Sequence, residues 1–379
     1  MDRSSKLRLG ILTSSRADYG IYLPLLHDLK NESKIDFEII VFGTHLSPIH
    51  GYTINQIIDD GFEVNHRIES LLINDSEVGI STSMGLTFLK FAEFWNLNKK
   101  NFDLIFALGD RFEMFAAVAA SIPYNLKIAH IHGGEETTGA IDNTFRHSIT
   151  HMSSLHFTSH EEYSKRISKM IHNNEHIYTI GSLSIDNLKK IKLLDKRSFQ
   201  DRYDIDISIP SILITMHPET VVSEMNKQYA EILEETLIQL ANKYQLIITM
   251  PNADTMGNLY RTSFYKLSEN LKNKIKIIEN FGTLGYFSCM KHCQFMLGNS
   301  SSGIIEAGSL NKWVINIGNR QSGRIFGNNI LHSPISKDSI LEKVKYIESK
   351  SIDIEVDNPY DLNGASQKII NYLKSYAGF

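Results

Sequence analysis

The sequence is poor in cysteine and has no long apolar run, and both absences limit what the protein can be. Its two cysteines, Cys289 and Cys293, lie four residues apart in a segment that we predict to be helical. Two cysteines at this spacing on a helix rarely form a disulfide, and two ligands do not complete a zinc site. We therefore expect both cysteines to be small buried side chains. No stretch approaches the roughly 18 consecutive apolar residues of a membrane-spanning helix, and the N-terminal apolar run is too short for a signal peptide. We therefore expect a cytoplasmic protein with no membrane partner.

An excess of positive charge is also missing, since the formal net charge at pH 7 is −4. A protein that binds nucleic acid without regard to sequence needs a basic face that replaces the counterions of the phosphates. We therefore expect no nucleic-acid partner, and any phosphate site must be built from a few local residues. The 379 residues contain no low-complexity tract or internal repeat, and their number predicts two domains of ordinary size.

Strand-like and helix-like segments alternate along the whole chain. The run LRLGILT (7–13) leads into the loop SSRADYG and then into a helical pattern, and the same order restarts at SILITMHPE. The strands are almost continuously apolar, as in parallel sheets covered by helices on both faces. We predict an α/β fold with two Rossmann-like parallel-sheet domains and an interdomain cleft at the carboxyl ends of the strands. The predicted domains are 1–185 and 186–362, followed by a C-terminal helix at 363–379.

Ionisable residues are concentrated between Phe102 and Ser148, where two predicted strands break at glycine. The candidates are Asp110, Arg111, His130, His132, Glu135, Asp142, Arg146 and His147. Neighbouring carboxylates in a desolvated cleft have their pKa values driven apart, which suits general acid and base catalysis. Each acid also has a structural alternative as a turn residue, a solvated carboxylate or a helix N-cap. Some of the histidines have metal-ligand spacing, but no carboxylate completes a metal-binding motif, so we expect no metal.

Three motifs in the second half could hold a phosphate. GNSSSGIIE (298–306) follows a predicted strand and begins a helix, so that Gly298 and Gly303 allow close backbone approach and free N–H groups face an anion. HPET places His217 at the end of another strand, and NRQSGR places Arg320 and Arg324 after a third. The alternatives are an ordinary serine-capped helix and solvated arginines.

Taken in order, SSRADYG, LGDRFE, HGGE with IDNTFRHS, HPET, GNSSSGIIE and INIGNRQSGR resemble the hydrolysing UDP-N-acetylglucosamine 2-epimerases of sialic and legionaminic acid biosynthesis. The resemblance spans nearly the whole chain. It implies the glycosyltransferase B-type fold, a C-terminal helix that packs on the first domain, and a homodimer or homotetramer. It also implies a reaction without a cofactor, in which the C2 proton is lost, UDP is eliminated to leave a 2-acetamidoglucal, and water adds to give N-acetylmannosamine.

The resemblance also assigns residues to the two halves of the reaction. Positions that contact UDP in the family are occupied here by Arg16, Arg111, His217, Asn252, Ser300, Ser301, Glu306 and Arg320. Positions on its catalytic side are occupied by Asp110, Asp142, Arg146 and His147. Many relatives read HIEGGE and IDD where this chain reads HIHGGE and IDN, so His132 and Asn143 replace two acids. We hypothesise that His132 or Glu135 takes over part of the proton transfer and that Asp142 handles the other step.

Other reactions remain open at this point. A sister enzyme would act on UDP-N,N'-diacetylbacillosamine by the same mechanism, with a pocket that differs around C4 and C6 of the sugar. A non-hydrolysing epimerase, a glycosyltransferase of the same fold and an inactive nucleotide-sugar binder are more distant alternatives.

Overall fold

The structure is a computed structural model that describes residues 6–74, 76–221, 223–251, 256–271, 274–350 and 354–378. It divides into two compact units. Unit 1 comprises Met1–Glu135, Asp142–Asn187 and Tyr360–Phe379, and unit 2 comprises Glu136–Ile141 and Leu188–Pro359. The short segment Glu136–Ile141 thus belongs to unit 2 although unit 1 flanks it on both sides, a feature that the sequence does not predict.

Unit 1 contains a seven-stranded sheet in the order β3-β2-β1-β4-β5-β6-β7, and every pairing in it is parallel. Its strands are β1 (Leu7–Thr13), β2 (Ile35–Phe42), β3 (His66–Ile68), β4 (Leu104–Leu108), β5 (Ile128–Ile131), β6 (Leu155–Thr158) and β7 (Ile177–Thr179). All residues of β4, β5 and β6 are buried, as expected for strands covered on both faces.

Unit 2 contains a six-stranded parallel sheet in the order β10-β9-β8-β11-β12-β13. Its strands are β8 (Ser211–Thr215), β9 (Gln245–Thr249), β10 (Ile275–Ile278), β11 (Phe295–Gly298), β12 (Val314–Ile317) and β13 (Ile330–Ser333). The two sheets confirm the predicted α/β class with two parallel-sheet domains.

Helices connect most of the strands, whereas turns connect β12 to β13. The α-helices are α1 (Arg16–Lys30), α2 (Ile54–Asp59), α3 (Glu77–Asn98), α4 (Phe112–Ala119), α5 (Asp142–Met152), α6 (Glu161–Ile171), α7 (Leu183–Lys190), α8 (Lys196–Tyr203), α9 (Asn226–Leu240), α10 (Gly257–Asn270), α11 (Gly282–His292), α12 (Ser301–Ile305), α13 (Lys337–Glu348) and α14 (Ala365–Ala377). Short 3-10 turns lie at Gly43–Leu46, Pro48–His50, Ile122–Tyr124, Ser223–Met225 and Ala307–Leu310.

The C-terminal helix completes the core of unit 1. Ile369, Ile370 and Leu373 of α14 are buried in the same hydrophobic cluster as Tyr22 and Leu26 of α1. Burying such side chains contributes roughly 1.5–3 kcal/mol each, so α14 is an integral part of the unit.

The cysteines and the hydropathy of the helices agree with the sequence. Cys289 and Cys293 are free and buried, which confirms their prediction as small core side chains. Within the described ranges, no helix is long and apolar enough to cross a membrane.

Candidate active site

Each sheet has one position where the strand order reverses, and several of the candidate residues follow the strands on either side of it. In unit 1 the reversal falls between β1 and β4, which are followed by Ser14–Arg16 and Gly109–Arg111. In unit 2 it falls between β8 and β11, which are followed by His217 and by Asn299. Open parallel sheets bind ligands beside such reversals, because loops that run to opposite faces leave a crevice at the carboxyl ends of the strands.

The turn after β5 holds a hydrogen-bonded imidazole and carboxylate. His132 Nδ1 lies 2.6 Å from Glu135 Oε1, and both residues are buried. The backbone of His132 is in the left-handed region at φ 64°, and Gly134 follows at φ 75°. The turn brings the side chain of His132 against that of Glu135, three residues later. A side chain at Gly134 would overlap the carbonyl oxygen of Tyr163, so glycine is required there.

The second ring nitrogen of His132 has no such partner. His132 Nε2 is buried, and no hydrogen-bonding group in the described part of the chain reaches it. An ionised carboxylate only accepts hydrogen bonds, so in the tautomer that donates to Glu135 the proton is on Nδ1 and the lone pair is on Nε2. Buried polar atoms are normally paired, and a catalytic role is one of the explanations for an exception.

Arg146 of α5 connects this pair to the end of β4. Its guanidinium forms an ion pair with Asp110 and donates to the carbonyl oxygen of Glu135 over 2.9 Å. It also donates to Asn143 Oδ1 over 2.9 Å. Arg146 is 1% exposed, and an arginine so deeply buried requires a negative partner. The neutral amide at Asn143 contributes an acceptor without a second negative charge, so Asp110 supplies the compensating carboxylate.

His130 has a structural role. Its Nε2 lies 2.8 Å from the carbonyl oxygen of Gly109, and its Nδ1 lies 3.1 Å from Thr150 Oγ1. Burial lowers the pKa of His130 to about 3, so the ring is neutral and fixes the residue before Asp110.

In the chain as far as the structure describes it, no three His, Cys, Asp or Glu side chains form a group that could hold a metal ion.

The loop before α1 is fixed by a buried carboxylate. Asp18 accepts hydrogen bonds from Thr13, from the backbone and hydroxyl of Ser14, and from the backbone of Ser15. Burial alone would raise the pKa of Asp18, but the imidazole of His45, 3.8 Å away, and hydrogen bonds from Thr13 and Ser14 lower it, so the carboxylate is charged. This arrangement defines the loop that carries Arg16, the first residue of α1.

The other candidates of unit 1 lie at helix starts. Arg111 precedes α4 and makes two hydrogen bonds to Glu113, of 3.1 and 3.2 Å, and Glu113 is fully buried. Asp142 begins α5, and His147 lies half-buried on the same helix.

In unit 2 the candidate residues are connected through Asn299. This side chain is fully buried, accepts from the backbone N–H of His217 at 2.7 Å and donates to the carbonyl oxygen of His217 at 2.9 Å. The carbonyl oxygen of Asn299 accepts from Arg320 at 3.4 Å and from Gln321 at 2.8 Å. One buried residue thus holds the loops after β8 and β12.

A second connection in unit 2 runs through Glu219. Its carboxylate accepts from the backbone N–H of Asn319 over 2.6 Å, and its own backbone is held by both side-chain amide atoms of Asn226. The segment Glu136–Ile141 joins the same loops. Thr138 N donates to the carbonyl oxygen of Ser322 over 2.9 Å, and Ile141 N donates to Thr220 Oγ1 over 3.0 Å.

The glycines of GNSSSGIIE serve the fold of unit 2 itself. A side chain at Gly298, where φ is 140°, would overlap the carbonyl oxygen of Thr215 in β8, and one at Gly303 would meet Val314 in β12. We predicted that both glycines allow close backbone approach by an anion, and the structure shows that packing against the adjoining strands already disfavours a side chain at either position. Ser300 caps α12, Ser301 begins it, and Glu306 is buried directly after it. Asn252 lies outside the described residues.

Sequence reasoning missed Ser159, Asn299 and Glu219. Ser159 is a single serine after a strand and carries no motif. Asn299 stands inside GNSSSGIIE, where the glycines and serines, but not the asparagine, were predicted to face a phosphate. Glu219 stands inside HPET, where only His217 was predicted to contact a phosphate.

Comparisons with known proteins agree on one family. The chain matches the family described as UDP-N-acetylglucosamine 2-epimerase over residues 27–374. It is 35% identical to a Campylobacter jejuni protein named GDP/UDP-N,N'-diacetylbacillosamine 2-epimerase (hydrolyzing), over 91% of this chain and 89% of that protein. It is 32% identical to a Legionella pneumophila UDP-N,N'-diacetylbacillosamine 2-epimerase (hydrolyzing), over 96% and 94%. It is 27% identical to a Neisseria meningitidis UDP-N-acetylglucosamine 2-epimerase, over 89% and 86%.

The fold has a counterpart among solved structures. A crystal structure of UDP-GlcNAc 2-epimerase from Neisseria meningitidis, bound to UDP-GlcNAc, superposes with a TM-score of 0.82 at 17% sequence identity. The match covers 97% of this chain and 100% of that chain. It supports the glycosyltransferase B-type fold that the sequence motifs imply.

Proposed function

Because the chain belongs to the UDP-N-acetylglucosamine 2-epimerase family and is an enzyme of its hydrolysing type, we propose that it converts a UDP-linked 2-acetamido-2-deoxy sugar and water into the C2-inverted free sugar and UDP. The reaction begins with removal of the C2 proton. The electron pair of that C–H bond forms the C1–C2 double bond of a glycal as the anomeric C–O bond breaks and UDP leaves. Water then adds its hydroxyl at C1 and a proton returns to C2 from the opposite face.

The observation that carries this proposal is the buried, unpartnered Nε2 of His132. A neutral imidazole whose Nδ1 proton is directed at Glu135 has a basic lone pair on Nε2, which is the state a general base requires. The negative charge of Glu135 stabilises the imidazolium that forms when Nε2 takes the proton. His132 therefore replaces, as the acceptor of the C2 proton, the carboxylate that many relatives have at this position. We assign the second proton transfer to Asp142.

The remaining candidate residues position the proposed catalytic groups or bind the charged part of the substrate. Arg146 holds Asp110 and the backbone of Glu135, and His147 lies on the same helix. We assign UDP binding to Arg16, Arg111, His217, Asn252, Ser300, Ser301, Glu306 and Arg320. Cationic groups at the diphosphate bind more strongly as the anomeric bond breaks, because negative charge then builds up on UDP.

Two substrates fit this chemistry. UDP-N-acetylglucosamine, which would give N-acetylmannosamine, follows from the motifs. UDP-N,N'-diacetylbacillosamine is favoured by the relatives, since the proteins at 35% and 32% identity carry its name and the one at 27% is named for UDP-N-acetylglucosamine. We therefore place the diacetylbacillosamine nucleotide first for testing.

The experiment is incubation of the full chain with each nucleotide sugar, separately, in deuterated water. The expected products are free UDP and a free manno-configured sugar with deuterium at C2. Retention of hydrogen at C2, or the return of an epimerised nucleotide sugar without free UDP, would contradict the proposal. The ratio of kcat/KM for the two substrates then identifies the preferred one, since a pocket built to hydrogen-bond a hydroxyl rejects an analogue that lacks it by about 10⁴-fold.

A further inference from the structure

A buried hydroxyl lies beside the His132–Glu135 pair. Ser159 is the first residue after β6 and is 1% exposed. Strands β5 and β6 pair with Ile131 opposite Phe157, and the backbone N–H of His132 donates to the carbonyl oxygen of Phe157 over 3.0 Å. The sheet register therefore brings the end of β6 against the turn that carries His132.

Ser159 contacts the same carboxylate oxygen as the histidine. Its Oγ donates to Glu135 Oε1 over 2.6 Å, and His132 Nδ1 lies 2.6 Å from that oxygen as well. Two donors on one oxygen define both the rotation of the carboxyl group and the direction from which the imidazole reaches it. Hydrogen bonds to an ionised acceptor are shorter and stronger than neutral ones, and both of these are short.

We propose that Ser159 is a positioning residue, which fixes the Glu135 carboxylate and through it the tautomer and orientation of His132. The inference rests on the proposed function, in which His132 Nε2 accepts the C2 proton. Without the hydroxyl, Glu135 loses a donor that stabilises its charge, and its carboxyl group is less constrained about its terminal torsion. The imidazole is then less firmly held with its Nε2 lone pair available.

Three other ionisable groups near the pair contact different atoms. Arg166 of α6 donates to the carbonyl oxygen of Gly134. Arg146 of α5 reaches the backbone carbonyl oxygen of Glu135 through its NH1 group. His130 of β5 is neutral at working pH because burial lowers its pKa to about 3, and its ring nitrogens face Gly109 and Thr150. The hydroxyl of Ser159 adds its own contact to Glu135 Oε1 from the end of β6.

The test compares Ser159→Ala with Ser121→Ala in the full chain. Ser121 is a matched control because it is also fully buried in unit 1 and its hydroxyl makes a hydrogen bond of the same 2.6 Å length, to the carbonyl oxygen of Val118. We expect Ser159→Ala to lower kcat about 10-fold, the effect of losing one hydrogen bond to a buried charge, with KM unchanged. The acid limb of the kcat profile should move to higher pH, because losing the donor favours proton uptake by the pair. Ser159→Thr, which retains a hydroxyl, should return the acid limb of the kcat profile to the pH of the parent chain.

A second readout does not depend on turnover. Imidazole ¹⁵N spectra, with the His132 signals identified by their absence in His132→Gln, should show the Nδ1-protonated tautomer in the parent chain and a mixture in Ser159→Ala. An unchanged tautomer together with an unchanged kcat profile would overturn the proposal, as would equal changes in Ser121→Ala. If the parent chain released no UDP, the proposed function would fail while these spectra still decided the role of Ser159.

Discussion

The two units hold their candidate residues in different ways. In unit 1 the contacts run between side chains: His132 and Ser159 on Glu135, and Arg146 on Asp110. In unit 2 they run mainly from side chain to backbone: Asn299 holds the backbone of His217, and Glu219 holds that of Asn319. The groups of unit 1 are mostly ionisable, whereas the central residue of unit 2 is a neutral amide.

This difference separates two tasks. A network of ionisable side chains around an unpartnered ring nitrogen controls where a proton resides, which is what a catalytic step requires. A neutral side chain that satisfies backbone groups controls the shape of loops, which is what a binding site requires. We therefore expect substitutions in the His132–Glu135 network of unit 1 to change kcat and substitutions in the Asn299 network of unit 2 to change affinity for UDP.

The largest expected effect is that of His132→Ala. Removing the proposed base should lower kcat by about 10²–10⁴-fold, while the affinity for UDP measured by calorimetry stays within a factor of two or so. Glu135→Gln should act in the same direction, because it removes the charge that stabilises the imidazolium. The exposed His27 of α1 provides the control His27→Gln. Near-normal turnover of both His132→Ala and Glu135→Gln would show that another group takes the C2 proton.

Next in size is Asn299→Ala in unit 2. It leaves the buried N–H and carbonyl groups of His217 without their partners, which should weaken UDP binding about 10-fold and lower the free energy of unfolding by about 2–4 kcal/mol. Asn329→Ala is a matched control, since this asparagine is also buried in unit 2 and donates to the carbonyl oxygen of Lys312 over 2.8 Å. It should destabilise the protein without changing UDP affinity. Equal losses of affinity in the two variants would mean that Asn299 acts only through stability.

The sequence predicted the fold more completely than the site. Nearly continuous apolar runs were sufficient to predict parallel strands, because only a sheet covered on both faces buries such runs. His132 and Glu135 were both predicted as candidates from their residue types. Their contact with each other was not, because it depends on a turn with positive φ at His132 and Gly134.

The parts that the sequence did not predict depend on tertiary contacts. Ser159 contacts Glu135 because of the register of β5 and β6. The local sequence FTSHEEY contains no pattern that predicts this contact. Gly298 resembled a ligand-binding glycine, but the neighbouring carbonyl oxygen of Thr215 already requires the absence of a side chain. The assignment of Glu136–Ile141 to unit 2 likewise depends on bonds to Ser322 and Thr220.

Acid should weaken unit 1 more than unit 2. Burial lowers the pKa of His156 in β6 to about 4 and that of His130 to about 3. Of the histidines with lowered pKa in unit 2, His292 is only partly buried and His332 is exposed. As pH falls below 6.5 the unfolded chain binds protons that the folded unit does not bind. Each of the two buried groups then lowers the free energy of unfolding by up to about 1.4 kcal/mol per pH unit, until its folded pKa is reached.

Amide hydrogen exchange at pH 7 and pH 5 measures this loss separately for each unit. His156→Leu removes two buried ring nitrogens that have no hydrogen-bond partner among the described residues. It should reduce the acid-induced loss in β6 by about 2 kcal/mol, whereas His27→Gln should leave the loss unchanged. A larger acid-induced loss in unit 2 than in unit 1 would show that groups other than His130 and His156 dominate.

The smallest expected effect is the thiol reactivity of the folded protein. Burial raises the pKa of Cys293 to about 11 and that of Cys289 well above its usual value, so neither forms the reactive thiolate while unit 2 is folded. A thiol reagent at pH 8 should therefore label the parent chain only as fast as unit 2 opens. Asn299→Ala should accelerate labelling and His132→Ala should not, because only the former weakens the unit that contains the cysteines. Equal acceleration by both variants would mean that the two units open together, and the division between a proton-transfer network and a loop-holding network would then apply to function but not to stability.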